Sequence, residues 1–175
     1  LAKNVLQEKF TEGDRWLVYC QDQFQMGRVK EQLADAKYPI RDYHQAMEGD
    51  ASRTLEYFTR EGGVMLAIKC LDEGVDIPEI NRALILASST NPREYIQRRG
   101  RVLRARDDKY SADIYDVLVL DANGMLLSSG EAERAIEFAE EAQNSATKIE
   151  LKMLLDKTNE VDYVLDNAQV EQVGE

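Results

Sequence analysis

Short, uninterrupted apolar runs that alternate with stretches of helical periodicity are the strongest constraint on how this chain folds. Trp16-Leu17-Val18-Tyr19-Cys20, Val64-Met65-Leu66-Ala67-Ile68 and Ala83-Leu84-Ile85-Leu86-Ala87 contain no charged residue. Strands that face water on one side alternate apolar and polar residues, whereas runs like these belong to strands covered on both faces. Ile40 to Tyr43 and Ala112 to Leu120 read as two further strands. Between them lie helical patterns. Ala2 to Glu12 carries Val5, Leu6 and Phe10, and Phe24 to Lys37 carries Val29 and Leu33 and ends before Pro39. A third helix, N-capped by Asp50, carries Leu55 and Phe58 and stops at Gly62-Gly63. A fourth begins at Pro92. Strand and helix in alternation predict an α/β fold, a mostly parallel sheet with helices on both faces. In such sheets the functional groups gather in loops at the carboxyl ends of the strands. Here those loops are Gln21–Gln25, Lys69–Pro78 and Ser88–Pro92.

After Gly130 the texture changes. Glu131 to Asp156 is rich in Ala, Glu, Leu and Lys, with Ala132, Ala135, Ile136, Ala139 and Ala142 on one stripe. Two helices broken near Asn144-Ser145 are expected, forming an acidic appendage to the sheet domain. The expected organisation is a sheet domain over 1–125, a helical appendage over 126–160 and a flexible tail over 161–175. No apolar run approaches the roughly 20 residues of a membrane span, and Leu1 opens no signal peptide. With no initiator methionine, the chain reads as a piece of something longer. Cys20 and Cys70 form no spaced pair, which favours a reducing compartment. One histidine and no cysteine cluster argue against a zinc site.

The formal charge of −11 argues at first against nucleic-acid binding. Its distribution shows that the net value averages a basic arginine cluster with an acidic tail, so only the local values inform function. Residues 1–105 carry 16 acidic and 16 basic side chains, and residues 106–175 carry 17 acidic and 6 basic ones. Between Asn91 and Arg106 stand six arginines, Arg93, Arg98, Arg99, Arg101, Arg104 and Arg106, against the single acidic Glu94. On a helix from Pro92 to Arg104, Gln97, Arg101 and Arg104 fall within about 60° of one another, with Gly100 beside them. Two guanidinium groups next to a glycine suit a multiply charged anion, because arginine binds phosphate with a planar, bidentate fork. The same spacing also fits a solvated basic helix paired with Asp107 and Asp108. Spacing alone leaves both readings open.

The loop Lys69-Cys70-Leu71-Asp72-Glu73-Gly74-Val75-Asp76-Ile77-Pro78 follows a buried strand. Gly74 could bring backbone N–H groups to a phosphate, and Asp76 could accept from ribose hydroxyls. Asp72-Glu73 imitates the metal-binding acidic pair of an ATPase. That pair should follow its strand directly and be accompanied by G-x-x-x-x-G-K-[ST], which is absent. This chain therefore cannot form a complete nucleotide site alone.

Gln97-Arg98-Arg99-Gly100-Arg101-Val102-Leu103-Arg104 resembles motif VI of superfamily 2 helicases, Q-R-x-G-R-x-x-R. Leu66 to Lys69 through Glu73-Gly74-Val75-Asp76-Ile77-Pro78 resembles motif V, and Trp16 to Cys20 with Gln21 resembles motif IV. Tyr43-His44, Arg53 and Phe58 resemble the segment between motifs IV and V. The resemblance covers about residues 15–120. It implies the C-terminal RecA-like domain of a DEAD/DEAH-type helicase, with wording nearest to restriction-subunit-like and repair-type DNA helicases. By that resemblance Arg101 and Arg104 contact the γ-phosphate of ATP, and Gln97 couples the site to the partner domain. Gly74, Asp76 and Gly100 help hold the nucleotide. Gln21, Lys69 and Ser89 are the candidate contacts to a nucleic-acid strand. ATP with Mg²⁺ would be held mainly by a preceding RecA-like domain of the same polypeptide, which would carry the Walker A and B groups. The implied track is DNA, with RNA as the alternative, and the implied location is cytoplasmic, nucleoid-associated if bacterial. Ile68 departs from the family, which often has threonine there. A non-catalytic interaction module is the reading from a different class. His44 is expected to serve local packing or hydrogen bonding, since nothing nearby forms a nucleophilic pair, and Trp16 is expected in the core.

Overall fold

The computed structural model describes residues 1–44, 51–68, 80–86, 113–126, 136, 139 and 146–158. Two compact units divide the chain, Leu1–Val117 and Leu118–Glu175.

The first unit is built around β1, Arg15–Tyr19, whose residues Trp16 to Tyr19 are all buried. Its apolar run is continuous because the strand is covered on every side. β3, Gly63–Ala67, pairs with it in parallel along one edge, and β4, Arg82–Ile85, along the other. β2, Ile40–Tyr43, adds to the free side of β3, and β5, Asp113–Asp116, to the free side of β4. The sheet runs β2-β3-β1-β4-β5, all parallel. The edge strands match their position, with Tyr43 the one buried residue of β2 and none in β5.

Helices cover both faces. α1 (Ala2–Lys9) and α2 (Gln23–Gln32) pack Ala2, Leu6, Met26 and Val29 against Trp16, Val18, Val64, Leu66 and Leu84. Residues of a strand alternate between faces, so Arg15, Leu17 and Tyr19 point the other way. There the Arg15 guanidinium donates to the Thr59 carbonyl at 2.6 and 3.0 Å, which fixes α3 (Ala51–Glu61) on that face. The handedness rule gives the same result. The β1-to-β2 and β2-to-β3 connections run in opposite lateral directions, and right-handed crossovers then lie on opposite faces.

The expected elements that fall within the described residues are found, with shorter ends, and the helix expected from Pro92 lies outside those residues. α1 stops at Lys9 because Phe10 is extended and Gly13 turns the chain at φ +90°. α2 stops at Gln32, where Ala34 and Ala36 donate to carbonyls three residues back, a tighter turn than the α-helix. The final strand ends at Asp116 rather than Leu120. Beyond it Leu120 bridges antiparallel to Leu126 across a turn in which Asp121 accepts the N–H groups of Asn123 and Met125. α3 carries Phe58 fully buried and ends before Gly62, whose φ of +68° closes the helix. Its expected cap, Asp50, lies outside the described residues.

In the second unit residues 146–158 are helical. Thr158 Oγ1 accepts the Leu126 N–H at 3.3 Å and donates to the Leu154 carbonyl at 2.9 Å. Ala139 is buried. The expected break at Asn144-Ser145 and the tail from 161 lie outside the described residues.

Candidate functional site at the carboxyl rim of the sheet

Parallel strands deliver their carboxyl ends to one rim, and hydrogen bonds carry the ladder one residue beyond each strand. Cys20 N–H donates to the Ala67 carbonyl at 2.8 Å, Leu86 N–H to Tyr19 at 3.1 Å and Ile68 N–H to Tyr43 at 3.3 Å. β1 sends its chain toward β2, whereas its neighbour β4 sends its chain toward β5. Adjacent strands with diverging connections make a topological switch point, where α/β sheets open a ligand crevice.

Gln21 stands on this rim and is exposed, with its N–H donating to Gln25 Oε1 at 2.7 Å. Asp22 caps α2, accepting the Gln25 N–H at 2.8 Å. Gln21 thus belongs to the entry of a helix as well as to the end of a strand. β3 and β4 leave the sheet at Ile68 and Leu86 on the same rim. The other site residues expected from the sequence, Lys69, Gly74, Asp76, Ser89, Gln97, Gly100, Arg101 and Arg104, lie outside the described residues. Arg53, in the first turn of α3, is exposed.

Three rim or strand residues bear on the chemistry. Cys20 is buried, and burial first, then Asp22 and Asp42, push its thiol up to about 12, which removes it as a nucleophile. His44, at the end of β2, has a buried Nδ1 without a hydrogen-bond partner among the described residues. Trp16 is fully buried and stacks on Tyr115 with centroids 5.2 Å apart, so it is core and closed to base stacking. Among the described residues no group of His, Cys, Asp and Glu could hold a metal ion, and no helix is long and apolar enough to cross a membrane.

One polar cluster escaped the sequence reading. At the amino rim, Asp14 is buried and accepts from Thr11 N–H at 2.8 Å, Trp16 Nε1 at 3.3 Å and Asn81 Nδ2 at 3.2 Å. Arg82 pairs with it at 3.2 Å and also donates to the Lys9 carbonyl. A signal was present, since Asp14-Arg15 and Asn81-Arg82 are matching polar pairs before two central strands. The cluster lies at the opposite end of the strands from the switch point and ties α1 to the sheet.

Residues 1–106 match the helicase conserved C-terminal domain. A stretch of 55 residues is 34% identical to a Methanocaldococcus jannaschii protein named "Putative ATP-dependent RNA helicase MJ1505", covering 31% of this chain and 7% of that one. The C-terminal domain of the DEAD-box protein Dbp5 superposes with a TM-score of 0.61 at 19% identity, covering 81% of this chain and 80% of that one. The C-terminal part of the Fun30 ATPase domain does so with 0.59 at 15% identity, over 92% of this chain and about half of that one (51%). Identities this low speak for the fold alone, a RecA-like α/β domain. With the domain match spanning more than half its length, the chain belongs to the helicase conserved C-terminal domain family.

Proposed function

We propose that the chain is the second motor domain of an ATP-dependent helicase or translocase, completing an ATP site with arginine fingers. One observation carries the reading. The strand order brings the chain at Ile68 and at Leu86 to one rim, on either side of β1, immediately before the segments with the motif V and motif VI residues. Arg101 and Arg104 would stabilise negative charge developing on the γ-phosphate, and Gln97 would couple the site to the preceding RecA-like domain. Gly74, Asp76 and Gly100 would line the nucleotide, whose Mg²⁺ is held mainly by that domain. Gln21, Lys69 and Ser89 would touch the backbone of the strand. ATP binding and hydrolysis close and open the cleft between the domains.

The track is proposed as DNA from the wording of Asp72 to Pro78 and Gln97 to Arg104. The RNA reading is favoured by the printed name of the Methanocaldococcus relative. In the parent protein, Arg101→Ala is expected to lower strand-stimulated turnover by about 10³–10⁵. Near-normal turnover overturns the arginine-finger role. Comparing stimulation by single-stranded DNA, duplex DNA and RNA decides the track.

A further inference from the structure

Asn123 is the one asparagine in the sequence that a glycine follows. Asparagine is a chemically labile residue, and this dipeptide is among its least durable settings. The backbone nitrogen of the next residue can attack the side-chain carboxamide carbon, and glycine offers no Cβ to obstruct the approach. In this chain the pair sits in the turn between Leu120 and Leu126, with Asn123 exposed to water. Gly124 has φ +75°, so the turn itself favours a glycine after Asn123 and keeps the labile pair together.

Every group that must move for the reaction is held by one residue. Asp121 Oδ1 accepts the Asn123 N–H and the Met125 N–H, each at 2.8 Å. Asp121 Oδ2 accepts from Asn123 Nδ2, the leaving nitrogen, at 3.2 Å. The Asp121 backbone carbonyl accepts the Gly124 N–H, the nucleophile, at 3.1 Å. Attack needs the Gly124 nitrogen to lose its proton and the carboxamide carbon to swing toward it, so these last two hydrogen bonds must break first. The N–H groups of Met125 and then Asn123, with Lys157 adding to them, hold the Asp121 carboxyl below its usual range. Asp121 is therefore an anion near neutral pH. A negative charge beside the site opposes the oxyanion that forms when the carboxamide carbon becomes tetrahedral.

We propose that Asn123 is a site of spontaneous deamidation and that Asp121 restrains its rate. The Gly124 nitrogen bonds to Asn123 Cγ and the Cγ–Nδ2 bond breaks. Ammonia leaves with the proton that the Gly124 nitrogen gave up, and a five-membered succinimide closes. Water then adds to either ring carbonyl and leaves aspartate or isoaspartate at 123. The product undoes the turn that restrained it. It sets a carboxylate where Nδ2 donated, facing Asp121 Oδ2, and isoaspartate also lengthens the main chain by one carbon before Gly124. The Leu126 N–H, which Thr158 Oγ1 accepts at 3.3 Å, lies at the end of the same turn. Modification at 123 is thereby coupled to the hold of residues 146–158 on that turn.

The test incubates the protein at about pH 8 and 37 °C and follows the peptide around Asn123 by mass spectrometry, with fragmentation that separates isoaspartate from aspartate. Deamidation is expected to run about tenfold more slowly in the folded protein than in the same protein in urea, since hydrogen bonds must open first. Equal rates overturn the restraint, and no deamidation in urea overturns the site. Both isomers are expected among the products; aspartate alone would mean direct hydrolysis and overturns the succinimide route. Asp121→Asn keeps a side-chain acceptor and removes the charge, whereas Asp121→Ala removes both. With circular dichroism unchanged, each is expected to speed deamidation of the folded protein, Asp121→Ala the more. Unchanged rates overturn the role of Asp121. Asn123→Asp, the product made directly, is expected to speed hydrogen exchange at the Leu126 amide severalfold. Equal exchange overturns the coupling to residues 146–158.

Discussion

Replacing Gly63 by alanine tests how the sheet is held at its amino rim. Gly63 opens β3 with φ +100°, a conformation that costs a residue with a side chain about 1–3 kcal/mol. Its added Cβ would collide with the Pro39 carbonyl oxygen and lie 3.1 Å from the Pro39 Cβ. That carbonyl accepts the Val64 N–H at 2.8 Å, so it cannot retreat without opening the ladder between β2 and β3. The Gly63 N–H meanwhile donates to the Asp14 carbonyl at 2.8 Å, which ties the same residue to β1. Overpacking against fixed backbone adds about 1–3 kcal/mol, so Gly63→Ala should destabilise the chain by about 2–6 kcal/mol. Against a total of about 5–15 kcal/mol for a domain, that is a large share. Urea unfolding followed by circular dichroism at 25 °C measures it, provided the m-value is unchanged. A loss below about 1 kcal/mol would refute the reasoning, because it would mean that the turn from Pro39 yields freely.

Asp14→Ala removes the acceptor of Trp16 Nε1 and one of the partners of Arg82, which keeps the Lys9 carbonyl and Asp113, and should cost about 1–3 kcal/mol in the same assay; a neutral result would make the corner ornamental to stability. With Cys70 replaced by serine, Cys20 in the folded chain at pH 8 should react with iodoacetamide about 10³-fold more slowly than in urea, since its thiol rises from 9.0 to about 12. The sign follows from the raised value: the folded state favours the neutral thiol, so this contribution is full below about pH 9 and is lost as the pH climbs toward 12. Equal reaction rates would place the thiol at the surface.

Much of the fold was legible because local chemistry and tertiary demand agree. The runs at Trp16, Val64 and Ala83 become the three inner strands, since a strand with neighbours on both edges has no place for an unpaired charge; Arg15 and Arg82, which open two of them, are both paired. Gly62 and Gly63 were legible as a stop to α3, but not as two residues with different tasks. One closes a helix, and the other admits the Pro39 carbonyl, a neighbour 24 residues away in the chain. The candidate site was read from motif wording and from an expectation about loops, and of its residues only Gln21 lies among those described.

The sequence by itself determined the alternation of elements, the apolar identity of the inner strands and the order of the three motifs, because each depends on residues close together in the chain. Tertiary structure decided which strands lie at the edges and where α2 and β5 end. It also buried Asp14 beside Arg82. Those outcomes depend on which distant residues meet, and a steric contact or a buried ion pair exists only once they do.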